Sequence, residues 1–272
     1  MKLSAIILSR TISKPIFEMT LQCINTLIDS EKNTQIEVVV VESNQQYHES
    51  EFHYPDFVKV LIPEANFNFH KFLNIGINAS SGDYIALCNN DLIFYDNWFS
   101  EMLKIAEKHP KIKSFSPNGK MVKDFKQDFE MGYKVRTHLF GWCFIAKRDI
   151  FSQIGPLDET FDFNFADNDY ALTLKKFNIQ HAVVFSSYVK HLDPNEVNID
   201  KGDWYKKQQE AAAKTLKNDP KFNSTADKKG LEDSLKFHKK WGNSKKLYRK
   251  NKIADVLIQY HLGFLNKIIL SL

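Results

Sequence analysis

The sequence lacks the features that mark membrane-spanning, disulfide-bonded and strongly nucleic-acid-binding chains. No stretch reaches the ~20 apolar residues that a spanning helix needs. The three cysteines, Cys23, Cys88 and Cys143, are odd in number, far apart and set in apolar surroundings, which favours reduced packing residues over a disulfide framework or a zinc site. The net charge of +4 is too small to indicate nucleic acid as a partner, although Lys and Arg concentrate in the last third. We therefore expect a cytoplasmic protein, with contact to a membrane surface left open.

Length and composition indicate a globular chain that forms one large domain, or one domain with an appendage. Its 272 residues are enough to bury a sizeable core, and 43% of them are hydrophobic and 26% charged. We expect a main domain over residues 1–199 and a helical extension over residues 200–272.

Hydrophobic periodicity predicts alternating strands and helices in the first ninety residues. Strands are expected at Lys2–Ser9, Gln35–Val41, Phe57–Ile62 and Tyr84–Cys88, and helices over the run that Pro15 opens and over His70–Ala79. This β-α-β-β-α-β order implies right-handed crossovers. We therefore predict an α/β fold with a mostly parallel twisted sheet and helices on both faces.

The pattern continues along the rest of the chain. In order, it predicts a helix at Trp98–His109, a strand at Ile112–Phe115, a polar loop at Pro117–His138, a strand at Gly141–Arg148 and a helical turn at Asp149–Ile154. A helix at Tyr170–Phe177 follows, with Asp167 as its N-cap. The last strand is expected at His181–Phe185, with a short turn between it and His191. Further helices are expected at Trp204–Leu216, Leu231–Trp241 and Ile253–Leu272.

The strand Tyr84–Cys88 ends in two amides and a carboxylate, Asn89, Asn90 and Asp91. Ligands of open α/β sheets collect at the carboxyl ends of such strands. A carboxylate beside side-chain amides could hold a hard divalent cation and, through it, a diphosphate. From these three residues alone, an ordinary polar exit from a strand explains the pattern equally well.

Short motifs follow one another in a characteristic order from Lys2 to Pro194. They are the strand Leu3–Ser9, Glu42 after the second strand, Asn66 and Asn74, Gly82-Asp83-Tyr84-Ile85 before Asn89-Asn90-Asp91, Gly141-Trp142-Cys143-Phe144, Ile154-Gly155-Pro156-Leu157-Asp158-Glu159-Thr160-Phe161, Asp167-Asn168-Asp169-Tyr170 and His191. Taken together, they resemble the family 2-type glycosyltransferases with a GT-A (Rossmann-like) fold, especially the rhamnosyltransferase-like branch.

The resemblance implies a nucleotide-sugar donor of UDP or dTDP type and a bound Mn²⁺ or Mg²⁺ ion. Asp91 and His191 would be the metal ligands, with Asn89 standing where a full DxD motif has its first carboxylate. Because only one acid remains, the ion would be weakly held and completed by phosphate and water. The residues matched to donor binding are Ser9, Arg10, Thr11, Glu42, Asn66, Asn74, Asn89, Asn90 and Trp142. For Trp142 the alternative is simple packing in the core.

The resemblance also implies an inverting reaction with an aspartate as general base. Such a base must lie within hydrogen-bond reach of the acceptor hydroxyl. The family's Glu-Asp motif reads Ala166-Asp167 here, and Asp169 is a second candidate, so the choice stays open with Asp167 favoured. Asp158 and Glu159 match an acidic turn that contacts the acceptor, which we expect to be a saccharide or glycoconjugate.

Three other functions stay open. A nucleotidyltransferase typically has a Gly-rich N-terminal loop with a basic residue, and Leu8–Lys14 contains no glycine. An inactive module that binds nucleotide sugars or nucleic acid is compatible with Asn89 and Ala166, where acids of the family are absent. A glycosyltransferase of modified DNA bases is compatible with the C-terminal lysines, although no recognised DNA-binding motif appears.

The C-terminal extension joins a basic run, Lys245–Lys252, to apolar residues at helical spacing in Ile253–Leu272. A helix of this kind can lie on an anionic membrane surface. We favour the alternative that it packs on the main domain or on a second subunit.

Overall fold

The computed structural model describes residues 1–120, 126–192 and 228–272, which form a nine-stranded sheet flanked by helices. The helix predicted at Trp204–Leu216 lies outside these residues, as does the middle of the predicted loop Pro117–His138. Part of that loop is described and forms a short strand, which the sequence did not predict.

The strands of the sheet are β1 (Lys2–Ser9), β2 (Gln35–Glu42), β3 (Val58–Leu61), β4 (Tyr84–Cys88), β5 (Leu92–Phe94), β6 (Ile112–Asn118), β7 (Phe129–Met131), β8 (Cys143–Lys147) and β9 (Gln180–His191). Their order is β3-β2-β1-β4-β8-β6-β9-β5, with β7 on β9. The parallel arrangement predicted for β1 to β4 is confirmed. In the other half, β8 runs antiparallel to both of its neighbours, because no described helix between β6 and β8 provides the crossover that a parallel pair needs.

The helices are α1 (Lys14–Asp29), α2 (Phe69–Asn78), α3 (Trp98–Lys108), α4 (Asp149–Ile154), α5 (Ala166–Lys176), α6 (Lys228–Trp241), α7 (Ser244–Gln259) and α8 (Asn266–Ile269). A single helix over Ile253–Leu272 was a wrong prediction. Helix α7 begins at Ser244, directly before the basic run, and ends at Gln259, because His261 adopts a left-handed conformation with φ 60°. Hydrophobic spacing does not reveal such a break.

Helix α5 begins earlier than predicted, which changes the position of Asp167. The N-cap is Phe165, in a left-handed conformation with φ 62°, so Asp167 lies in the first helical turn and the N-cap prediction was wrong. A carboxylate there still interacts favourably with the helix dipole.

The core lies on both faces of the sheet, as predicted. Along β1, Leu3, Ala5 and Ile7 pack toward α1 and α3, and the alternate residues Ile6 and Leu8 pack toward α2 and α5. The three cysteines are buried and free, which confirms their predicted role as packing residues.

Strand β9 is twelve residues long and continues to His191, which pairs with Leu92 of β5. His191 is therefore the last residue of a strand, whereas the sequence predicted that a turn would precede it. The longer strand brings this histidine back beside the end of β4.

The C-terminal helices pack on the N-terminal domain, as the sequence analysis favoured. Phe237, Trp241 and Leu270 are buried with Phe161 and Leu172 in one apolar cluster. The contact is also polar. The ammonium group of Lys175 on α5 lies 3.0 Å from Oδ1 of Asn251 and 2.6 Å from Oδ1 of Asp255, both on α7.

Candidate functional site

The predicted metal ligands meet at the carboxyl edge of β4. Nε2 of His191 lies 3.2 Å from Oδ1 of Asp91. The imidazole also stacks on the indole of Trp142, with ring centroids 5.4 Å apart and an interplanar angle of 14°. Residues 91, 142 and 191 therefore form one cluster, although they come from three distant segments of the chain.

One oxygen of this cluster has an open position for a ligand. Oδ1 of Asp91 is buried, and although Nε2 of His191 lies 3.2 Å away, that approach lacks hydrogen-bond geometry, so this oxygen accepts no hydrogen bond from the described part of the chain. A carboxylate oxygen in that state suits a divalent cation. Among the described residues, no three His, Cys, Asp or Glu side chains converge as a metal site. The protein thus offers one acid and one imidazole, and the residues fit an ion that takes its remaining ligands from phosphate and water.

A second buried carboxylate lies at the end of β2. Oε1 of Glu42 accepts hydrogen bonds from the backbone N–H groups of Thr11 at 3.0 Å and Asn44 at 2.8 Å. Its other oxygen, Oε2, is buried and has no hydrogen-bond partner among the described residues. Glu42 therefore fixes the loop after β1 with one oxygen and leaves the other available to a ligand.

A cluster of hydroxyl groups joins the two carboxylates. Ser9, which pairs with Glu42 across β1 and β2, lies within 3.4 Å of the hydroxyls of Thr11, Thr20 and Tyr54. The amide of Asn90 donates to Thr20 at 2.9 Å. Because these groups bind one another, the cluster holds the loop after β1 against the strand end that carries Asp91.

Asp167 lies next to the aromatic end of β8. A Cβ atom placed on Gly141 would lie 3.0 Å from Oδ2 of Asp167, so any larger residue there would press on this carboxylate. Gly141 directly precedes Trp142, and the candidate base is thereby linked through Trp142 and His191 to Asp91. Burial raises the pKa of Asp167, against the opposing effects of the Asn168 N–H, Arg136 and His70.

The geometry separates the two candidate bases. Asp169 is 2% exposed, and its Oδ1 lies 2.7 Å from Nε1 of Trp241 and 2.7 Å from the ammonium group of Lys240. Burial raises the pKa of this carboxyl, and the two partners oppose that effect. Asp169 thus fastens α6 to α5, an arrangement that does not favour a role as base.

The predicted acceptor turn is held from both sides. The amide of Asn74 donates to the carbonyl oxygen of Leu157 at 2.9 Å and to Oε1 of Glu159 at 3.0 Å, and its oxygen accepts from the Leu157 N–H. On the other side, Lys240 donates to Oδ2 of Asp158 at 2.7 Å. Asn74 therefore positions the turn, and a contact between its amide and the sugar donor stays a prediction.

The sequence analysis missed two residues, His70 and Lys240, that hold the turn containing Asp158 in place. His70 is buried below the turn, with Nδ1 2.8 Å from the carbonyl oxygen of Asp158 and Nε2 without a hydrogen-bond partner among the described residues. Its spacing of four residues from Asn74 on α2 was the signal that could have identified it. Lys240 had no such signal, because it lies about eighty residues from the turn that it binds.

The remaining predicted residues lie around this site. Arg10 and Asn66 are exposed in the loops that follow β1 and precede α2. The backbone N–H of Asn89 donates to the carbonyl oxygen of Trp142 at 2.9 Å and thereby joins the ends of β4 and β8. Donor contacts for these residues stay predictions.

Asn in place of Asp158 is expected to destabilise the protein by about 1 kcal/mol at neutral pH. Burial opposes ionisation of Asp158, but bonds from Lys240 and Thr160 outweigh it and lower its pKa from 3.8 to about 2. For a group shielded from solvent, this shift would contribute about 2.5 kcal/mol to the free energy of unfolding. The Asp158 side chain is 30% exposed, so solvent screening reduces that contribution. The folded-state pKa is depressed, so this stability is present above pH ~4 and is lost as the pH falls toward 2.

Urea unfolding of wild-type and Asp158→Asn protein from neutral pH to about pH 3 measures this difference. The control is Glu18→Gln, which removes an exposed carboxylate 3.7 Å from Lys14 and should change nothing. Equal unfolding free energies for Asp158→Asn and wild type at neutral pH would contradict the expected clamp.

Comparison with solved structures identifies the architecture as the GT-A fold. The protein is similar to GalNAc-T7 in a crystal structure with UDP, GalNAc and Mn²⁺, with 14% identity, a TM-score of 0.56, and coverage of 96% of this chain and 59% of that one. It is also similar to S. aureus TarS, with 16% identity, a TM-score of 0.53, and coverage of 90% and 45%. A structure of S. aureus TarS 1-349 in complex with UDP-GlcNAc gives 16% identity, a TM-score of 0.50, and coverage of 98% and 79%.

These likenesses are shared folds at low sequence identity, and the chain spans only about half of the length of the first two proteins. No curated protein sequence matches the chain. The sequence model for glycosyl transferase family 2 matches residues 17–155, which is just over half of the 272 residues. That segment contains Glu42, Asp91 and Trp142. The chain belongs to glycosyl transferase family 2.

Proposed function

We propose that the protein is an inverting, metal-dependent glycosyltransferase that moves a sugar from a nucleoside diphosphate to a hydroxyl group of a saccharide or glycoconjugate. The observation that carries the proposal is the pair of buried carboxylate oxygens, Glu42 Oε2 and Asp91 Oδ1, that lack hydrogen-bond partners among the described residues. Glu42 is the last residue of β2 and Asp91 lies just after β4, and these two strands flank β1 on either side. A nucleoside at Glu42 and a cation with diphosphate at Asp91 would satisfy both groups.

The donor is proposed to carry uridine or thymidine. Oε2 of Glu42 can accept a hydrogen bond from a base or ribose, while Oε1 keeps the loop from Ser9 to Thr11 in place. Two of the similar structures were obtained with UDP or UDP-GlcNAc, so UDP-linked sugars are the first donors to test. The rhamnosyltransferase-like branch stays a prediction.

Asp91 and His191 are proposed to hold Mn²⁺ or Mg²⁺. Bound there, the ion would offset the negative charge that develops on the leaving diphosphate. Trp142 stacks on the imidazole and sets the plane of the ring, so that its Nε2 stays beside Asp91.

Asp167 is proposed as the general base. The acceptor oxygen bonds to the anomeric carbon as the bond from that carbon to the diphosphate oxygen breaks, and Asp167 takes the acceptor proton. Its raised pKa improves it as a base, and its close approach to Gly141 places it beside the residue that precedes Trp142. The turn that contains Asp158 and Glu159 lies beside α5 and would orient the acceptor.

Thermal-shift measurements with UDP, dTDP and UDP-sugars, each with and without Mn²⁺, are expected to show stabilisation that requires nucleotide and metal together. The reason is linkage, because a ligand that binds only the folded state raises the melting temperature. The matched variant is Glu42→Gln, which should lose much of the nucleotide effect while it remains folded. If none of these nucleotides stabilises the wild-type protein in a metal-dependent way, the transferase proposal fails.

A further inference from the structure

The C-terminal residues carry a concentration of exposed apolar side chains. Sixteen large hydrophobic side chains are exposed in the described part of the chain, and eight of them belong to residues 248–272. They are Tyr248, Ile253, Val256, Tyr260, Leu262, Phe264, Ile268 and Leu272. We call this set the C-terminal face. The elements that carry most of them, α7, the turn Gly263–Leu265 and α8, pack on one another, so these exposed residues are grouped in space as well as in sequence. Such a group marks an interaction surface, because single exposed apolar residues are ordinarily scattered.

The exposed side of α7 lies opposite the side that packs. Leu247 and Ala254 are buried against the N-terminal domain. On the other side, the apolar residues Ile253, Val256 and Tyr260 follow one another at helical spacing and are exposed. The helix therefore has an unburied apolar stripe in addition to its buried one.

Basic side chains accompany this face. Residues 244–272 contain six Lys or Arg and one acid, Asp255, whereas residues 1–243 contain 31 basic and 32 acidic residues. The net positive charge of the protein thus resides in this segment. Asp255 is itself paired with Lys175 of the main domain at 2.6 Å. Lys245, Arg249, Lys252 and Lys267 are exposed.

We propose that the C-terminal face docks on an anionic lipid surface. Apolar and aromatic side chains enter the boundary between headgroups and acyl chains, and the surrounding Lys and Arg pair with lipid phosphates. The helices of the described part lack the length and hydrophobicity to cross a membrane, so the contact is one that lies on the surface.

Charge and hydrophobicity favour an anionic membrane over a second copy of the protein or a nucleic acid as the partner of this face. A symmetric dimer through the same face would bring two positively charged segments together, which is unfavourable. A nucleic-acid backbone would satisfy Lys252 and Lys267 but would leave Phe264 and Ile268 in water. An anionic membrane satisfies both the apolar and the basic residues.

Co-sedimentation of the full chain with vesicles tests the proposal. We expect binding to vesicles that contain phosphatidylglycerol, at least fivefold weaker binding to pure phosphatidylcholine, and further weakening as salt is raised. Phe264→Ser combined with Tyr260→Ser should reduce binding at least fivefold. The matched control is Phe57→Ser, since Phe57 is 58% exposed in the loop before β3 and Phe264 is 63% exposed. That control should bind as the wild type does.

Other outcomes would overturn the inference. They are no binding to either vesicle, equal binding by the double variant at unchanged thermal stability, or a dimer in light scattering that the double variant dissociates. Tighter binding to a mixed-sequence oligonucleotide than to the vesicles would assign the face to nucleic acid instead. None of these measurements depends on the proposed transfer reaction.

Discussion

Asparagine in place of Asp167 should reduce sugar transfer at least a hundredfold while nucleotide binding stays unchanged. General base catalysis typically contributes 10²–10⁴-fold, and an amide cannot accept the acceptor proton. Asn retains an oxygen for the hydrogen bond that Oδ1 receives from the Asn168 N–H at 2.8 Å, so the start of α5 should be preserved. The measurement is release of the nucleoside diphosphate in the presence of acceptor, together with the thermal shift by UDP and Mn²⁺.

The stability of this variant provides an independent check. The pKa of Asp167 is raised above 3.8 in the folded protein by burial, so the stability it contributes is complete below pH ~4 and is lost as the pH rises through the folded-state value. At neutral pH, Asp167→Asn should therefore be as stable as the wild type or more stable. In the wild type, transfer should decline at acidic pH as Asp167 is protonated, and this decline should be absent from the residual activity of the variant.

Asp169→Asn is the matched comparison, because it removes the same charge two residues away. Asp169 binds Trp241 and Lys240, so this variant should loosen α6 from α5 and lower the melting temperature, with transfer kept within about tenfold of the wild type. The opposite result would be full transfer by Asp167→Asn and a hundredfold loss of transfer in Asp169→Asn at unchanged stability. It would make Asp169 the base and Asp167 the structural residue.

Candidate site residues at the ends of predicted strands could be identified from the local sequence pattern. Asp91 and Glu42 could be identified because each follows an apolar strand, and the carboxyl ends of neighbouring parallel strands meet at one edge. His191 was found through the resemblance, although its place at the end of β9 required the structure, because the predicted strand stopped at Phe185.

The rest of the site depends on contacts between distant segments. Asn74 was predicted to bind the donor and Asp169 was the second candidate base, whereas their hydrogen bonds in the structure go to Leu157 and to α6. The sequence around a polar residue does not indicate which distant residue it will bind after folding. The reverse holds for Lys240, which looks like an ordinary surface lysine in the sequence but contacts the carboxylates of Asp158 and Asp169 in the structure.

Removal of the Asp91 carboxylate is the second change with a large expected effect. Asp91→Asn should abolish the part of the UDP thermal shift that depends on Mn²⁺ and lower transfer at least a hundredfold, as should excess EDTA with the wild type. The physical reason is that Asp91 is the one carboxylate beside His191 in the described cluster, and an amide oxygen carries no net charge to attract the ion. Titration of Mn²⁺ with UDP present, followed by melting temperature, measures the loss without reference to activity.

Asp96→Asn is the matched control, since Asp96 is an exposed acid five residues farther along the same segment and should titrate with Mn²⁺ as the wild type does. His191→Gln should give an intermediate loss, because it removes one ligand and the ring that stacks on Trp142. An unchanged Mn²⁺ response in Asp91→Asn would move the metal away from this edge of the sheet. The buried Oδ1 would then need another partner, because a buried carboxylate oxygen without a hydrogen bond costs folding free energy until something binds it. A direct hydrogen bond from the nucleotide sugar to Oδ1, without metal, would then be the arrangement to examine.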